Sequence, residues 1–134
     1  FDYCILDVPA GVGPFFSLAA SVADRALLVA TPDTPCLRDA GTVLAELTRL
    51  EIEDVRLVLN MVDKSRVAWK NAYNIDQSMD VVGLPLVGVI FRDDNMAVAA
   101  HHCKALFTVT RRGAARDLMD LAKRLENFPV RPRF

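Results

Sequence analysis

The chain has little that would place it outside ordinary globular proteins. It lacks an excess of charge: 16 Lys and Arg stand against 17 Asp and Glu, a formal net charge of -1. No global field therefore draws it to nucleic acid or to anionic lipid. It has no apolar run near the roughly 20 residues that cross a bilayer, and no signal peptide. Its three cysteines, Cys4, Cys36 and Cys103, are odd in number and widely spaced. They fit neither a disulfide framework nor a metal-ligand pattern. Reduced thiols in a cytoplasmic protein are expected, with Cys4 as core filler. There is no internal repeat and no low-complexity segment.

What is there is apolar and punctuated. Hydrophobic residues make up 52% of the 134, enough for one domain with a real core over 1–134. The first residue already stands inside a core-type strand, with no initiator Met, so a fragment of a longer protein is expected. Tyr3–Leu6 reads as a buried strand ending in Asp7, broken by Pro9 and Gly11. Phe15–Ala23 reads as a short helix, buried on most sides. Ala26–Ala30 is a second strand, leading into Thr31-Pro32-Asp33. Thr34 or Asp33 can cap the next helix, on which Leu37, Val43, Leu44, Leu47 and Leu50 recur at near-helical spacing until about Glu51.

Val55–Asn60 is a third strand, and Lys64–Asn74 a polar insert carrying Trp69, expected to pack on the sheet edge. A helix from about Asn74 to Val82 is stopped by Gly83 and Pro85. Leu86–Phe91 is a fourth strand. Asp93 or Asp94 caps a helix to about His102, and Thr110 opens a last helix to about Glu126. Residues 127–134 are a tail. Adjacent His101 and His102 cannot share a helical face, which speaks against a metal site there.

Every strand is a continuous apolar run rather than an alternating one. That is the mark of a parallel sheet covered on both faces by helices. In such a sheet the carboxyl ends share one edge, where open α/β folds bind ligands. That edge would collect Asp7, the Pro9-Ala10-Gly11 turn, Thr31-Pro32-Asp33, Asn60 and Arg92-Asp93. An acid there can hold magnesium, directly or through water. Gly in the turn lets backbone N–H groups approach a phosphate. The plain alternative is that helices want Asp caps. It accounts for Asp33 and Asp93, and less well for Asn60, which directly follows four apolar strand residues.

In order, these segments resemble the deviant-Walker P-loop ATPases of the MinD/ParA kind, and more the MinD side. Phe1-Asp2-Tyr3-Cys4-Ile5-Leu6-Asp7-Val8-Pro9-Ala10-Gly11 is similar to that family's Walker B strand and switch II. Ala23-Asp24-Arg25-Ala26, Thr31-Pro32-Asp33 and Leu37-Arg38-Asp39-Ala40 resemble its next strand, loop and helix start. Leu57-Val58-Leu59-Asn60 resembles the strand whose Asn contacts adenine, and Leu86-Val87-Gly88-Val89-Ile90 the strand before the loop that closes over the base.

The resemblance implies the C-terminal part of a three-layer, parallel-sheet P-loop NTPase of the SIMIBI class, beginning at the Walker B strand. It implies ATP and Mg²⁺ as ligands of the intact parent, a homodimer formed across nucleotide, and a slow hydrolytic switch in positioning. Matched position by position, Asp7 would bind magnesium through water, and Pro9, Ala10 and Gly11 would line the γ-phosphate. Asn60 would hydrogen-bond adenine and Asp93 would lie beside the base.

The chain departs from the pattern in several places. The family's glycine-rich phosphate loop with its lysines is not among the 134 residues. Met61 stands where Arg usually follows the Asn, and Phe91-Arg92-Asp93 replaces Pro-Glu-Asp. Members of the MinD group commonly end in an amphipathic helix that places them peripherally at the inner membrane. Two prolines in residues 127–134 exclude a continuous helix. Other readings stay open. Asn60-Met61-Val62-Asp63 has the spacing of the GTPase guanine motif, Asp63 accepting guanine N–H donors. The fold could also serve as a non-catalytic protein-binding module, or as an effector domain joined to a regulatory one.

Overall fold

The computed structural model describes residues 1–67 and 74–131, without the side chains of Arg66 and Val67. Trp69 and the last three residues of the tail lie outside the described residues. Three parallel strands form one sheet in the order β1 (Ala26–Ala30), β2 (Val55–Val62), β3 (Leu86–Phe91). Around them run α1 (Pro14–Ala20), α2 (Thr34–Arg49), α3 (Lys64–Val67), α4 (Ile75–Val82), α5 (Asp94–His101), α6 (Leu106–Val109) and α7 (Ala114–Leu125).

The helices form in the places where the chain supplies caps. The Asp33 carboxylate accepts the Cys36 N–H and starts α2. Asn74 and Gln77 form a reciprocal capping box on α4, which Gly83 ends at a positive φ of 74°. Asp93 caps α5. These elements match the sequence reading closely.

Helices cover both faces, giving three layers. On one face Leu37 and Ala40 of α2 and Ile75 and Val82 of α4 bury Leu28, Leu57, Leu59, Val89 and Phe91. On the other, Ala114, Ala115 and Leu121 of α7, with Ala99 and Leu106, bury Val58, Val87 and Ile90. Helix α7 comes close to β3 because Gly88 has no side chain; a Cβ there would stand 3.0 Å from Leu121 Cδ1.

The opening stretch departs from the expectation. Residues 1–9 form no strand. Phe1, Tyr3, Ile5 and Leu6 are exposed, Ile5 at 91%. A strand is stable only beside a hydrogen-bonded neighbour. Among the described residues β1 pairs with β2 alone, and the opening segment does not lie along its open edge. Cys4 is accordingly exposed, not core filler, and no cysteine forms a disulfide. Helix α1 buries only Ala20, against Leu47 and Val55, and leaves Phe15 and Leu18 in solvent.

Thr110 does not open the last helix. It closes α6, and α7 begins after Gly113. The backbone of Gly113 (φ 57°, ψ -133°) suits only glycine. An added Cβ would stand 2.1 Å from the Asp93 carboxylate.

Candidate nucleotide-binding edge

The carboxyl ends of the three parallel strands lie on one edge of the sheet, as the sequence pattern requires. At the end of β1 the Thr31 hydroxyl donates to the Asp33 carboxylate, and the Thr31 N–H donates to Cys36 Sγ at 3.3 Å. The hydroxyl, and then the Cys36 N–H, hold the Asp33 carboxyl below its ordinary range. Asp33 is thus a cap fixed in place at the edge.

Asn60 is not the terminal residue of its strand. Strand β2 continues to Val62, which pairs with Phe91. Leu59 pairs with Val89, so β2 has one residue more than β3 across this interval, and the register shifts there. Asn60 and Met61 therefore occupy a β-bulge, with Met61 at φ 55°. The Asn60 side-chain oxygen accepts the Met61 N–H at 2.8 Å, steadying the bulge. Bulges near sheet ends re-aim side chains, and this one carries the residue matched to base recognition. The sequence reading ends the strand at Asn60; the structure carries it two residues further, through the bulge. The positive φ of a methionine leaves no signature in composition.

Asp93 sits two residues past β3. It accepts from the Ala114 N–H at 2.9 Å, and from the Asn95 N–H at 2.9 Å and amide Nδ2 at 2.8 Å. These bonds, that to Ala114 first, hold its carboxyl below the ordinary range; the nearby Lys64 charge adds a smaller pull. Asp93 thereby joins the starts of α5 and α7 while remaining at the edge. Asp63 is likewise engaged: its Oδ1 accepts the Ser65 N–H and hydroxyl at the start of α3.

Sequence reasoning did not find Lys64, which it placed in an undifferentiated polar insert. Its ammonium lies 4.7 Å from the centroid of the Phe91 ring. No spacing rule brings residues 64 and 91 together; strand pairing does.

Asp7, Pro9, Ala10 and Gly11 are all exposed, with Gly11 at φ 95°. Among the described residues, no hydrogen bond ties 4–12 to the strand ends that carry Asn60 and Asp93. The described residues hold no group of three His, Cys, Asp or Glu able to bind a metal ion. A lone carboxylate such as Asp7 suits magnesium, which keeps several waters and takes further oxygens from substrate phosphates. His101 and His102 lie edge to face at the end of α5.

A parallel sheet between two helical layers, with a polar carboxyl edge, is the α/β architecture of nucleotide-binding folds, and the solved structures it matches are MinD/ParA P-loop ATPases. Two Aquifex aeolicus structures, one of the MinD cell division protein and one of the MinC:MinD complex, match with a TM-score of 0.88 at 21% identity. Both matches cover 94% of this chain, with 53% of the first structure's chain and 52% of the second's. The septum site-determining MinD of Pyrococcus horikoshii, in complex with Mg-ADP, matches with a TM-score of 0.76 at 22% identity over 90% of this chain and 48% of its own.

In sequence the likeness is to MinD in particular. The chain is 32% identical over 132 residues to a putative septum site-determining MinD of Nephroselmis olivacea, covering 96% of this chain and 47% of that protein. It is 30% identical over 133 residues to MinD of Bacillus subtilis, covering 97% and 50%. The chain thus spans about half the length of these curated relatives, and it is similar to the MinD/ParA type of P-loop ATPase over nearly all its own length. No protein-family model matches. Among the described residues no helix is long and apolar enough to cross a membrane.

Proposed function

We propose that this chain is the switch and base-binding portion of a MinD-like ATPase. The intact protein would bind ATP with Mg²⁺, dimerise across the nucleotide and hydrolyse it as a spatial switch in cell division or cargo positioning. The observation that carries this reading is Asn60, presented in a bulge on the carboxyl edge of a sheet whose sequence is MinD-like from end to end.

Each residue has a stated task. Asn60 reads adenine: its amide can donate while its oxygen, with two lone pairs, accepts a second bond beside that from Met61. Asp93 stands beside the base and fixes the loop there by its ties to α5 and α7. Asp7 takes magnesium through water, and the Pro9-Ala10-Gly11 turn offers N–H groups to the γ-phosphate. Bound magnesium would neutralise phosphate charge. A segment that phosphate orders can relax when phosphate leaves, which suits residues 7–13, exposed except at Val8 and outside any strand or helix. The intact protein would work in the cytoplasm, with peripheral contact at the inner membrane.

The 134 residues contain no phosphate-loop lysine or glycine cradle. Half a phosphate site holds a triphosphate poorly. Isothermal titration of this chain with ATP–Mg²⁺ should therefore show no micromolar binding, and micromolar affinity would overturn the claim that these residues alone lack a working phosphate site. In a longer protein containing this chain, Asp7→Ala should abolish most ATP hydrolysis, and unchanged hydrolysis would remove Asp7 from the magnesium role.

A further inference from the structure

Lys64 is exposed, yet its ammonium lies over a buried ring. Phe91 is the last residue of β3 and is 9% exposed, and Lys64 Nζ lies 4.7 Å from its centroid. A solvated lysine has many rotamers and no need of a ring face. The attraction of a cation to the ring, together with the Asp93 carboxylate nearby, accounts for its position. Among the described residues Lys64 forms no ion pair and donates no hydrogen bond. An ammonium carries three N–H donors and no acceptor. One side of it is taken by the ring, and the Asp93 carboxylate lies close enough to feel its charge. Met61, exposed next to Asn60, offers no strong donor there.

We propose that Lys64, braced on the Phe91 ring, is a specificity-determining contact at the base end of the site, donating to acceptor atoms of a purine nucleoside. The proposal rests on the nucleotide reading above and adds a residue to it. Asn60 supplies a paired donor and acceptor, as an adenine edge requires. Lys64 supplies only donors, which suit the ring nitrogens and ribose oxygens. Phe91 serves as a positioning residue, fixing the ammonium without touching the ligand.

The test is a ¹H–¹⁵N NMR titration of the 134-residue chain with millimolar adenosine, and with cytidine for comparison. Adenosine should shift amides of residues 59–64 and 91–93, and cytidine should shift them less. Lys64→Met keeps an apolar stem over the ring and removes the charge. It should weaken adenosine binding about fivefold, the scale of one partly exposed cationic contact. Lys64→Arg should restore most of the affinity, and the thermal midpoint should be unchanged in both, which a packing role alone would not give. Binding weakened by Asn60→Ala but untouched by Lys64→Met would overturn the Lys64 proposal and leave the base site standing. An unaltered chain that shows no shift with adenosine would overturn both.

Discussion

The two ends of the sheet are both apolar strands, in opposite surroundings. Ala26–Ala30 and Leu86–Phe91 are both continuous apolar runs. In β3, Val87 through Phe91 are all buried, between α7 on one face and the α2/α4 layer on the other. In β1 only alternate residues are buried. Leu28 and Ala30 face α2, while Leu27 is 40% and Val29 58% exposed. Both strands are apolar from end to end. Helix α7 lies over β3, drawn in by Gly88, and no described element covers the same face of β1. An apolar run states that a strand can be buried on both sides; the layers around it decide whether it is.

The largest test of this contrast lies in β3. Ile90 belongs to the cluster under α7. Ile90→Ala should cost about 2–4 kcal/mol, the transfer of lost methyl groups plus the cavity they leave. Urea unfolding followed by circular dichroism would measure it. A cost below about 1 kcal/mol would mean that α7 does not pack β3 as described.

An intermediate effect is expected where α7 is tied to the end of β3. The Asp93 carboxyl is held low by the Ala114 N–H, then by Asn95, so its charged form is the one the fold favours. Its contribution is fully present above the unfolded carboxylate value, about 3.9, and is lost as pH falls through the lower folded value. Asp93→Asn keeps an oxygen acceptor and removes the charge. It should cost about 1 kcal/mol at pH 7, as for a charge-assisted cap. The gap between variant and parent should close as pH falls below about 4. A gap that widens in acid would reverse the assignment.

Much of this was readable because local chemistry and tertiary structure agree. Asp33, Asn74, Gly83 and Asp93 mark helix ends by their own side chains, or by the lack of one, and the helices begin and stop there. The three apolar runs after residue 25 became strands because each has a neighbour. The run at Tyr3–Leu6 did not, since pairing is supplied by other segments and none adjoins it here. The same reason hid part of the site. Asn60 stood out as a polar residue after apolar ones. Its bulge is a difference in count between two strands, and Lys64 meets Phe91 only once β2 and β3 are paired. Glycine is a weak local signal for a helix start, so nothing in the sequence around Gly113 marks it as one. The carboxylate that fills the space beside Gly113 comes from a residue twenty positions earlier.

The smallest effect should fall on the open face of β1. Val29→Thr exchanges a methyl for a hydroxyl of similar size, a change that is costly in a core because the hydroxyl must be desolvated. At 58% exposure the hydroxyl keeps its water. The expected change in unfolding free energy is within about 0.5 kcal/mol, the range of ordinary surface substitutions. Val89→Thr, across the sheet in a buried position of β3, should cost several times more in the same assay. Leu27 and Val29 form an apolar face at a strand edge that lacks a partner, and such edges promote association between chains. Light scattering at rising concentration should therefore show less self-association for Val29→Thr than for the parent chain. Equal costs for the two threonine variants would mean that the open and covered faces are energetically alike, and the contrast between β1 and β3 would fall.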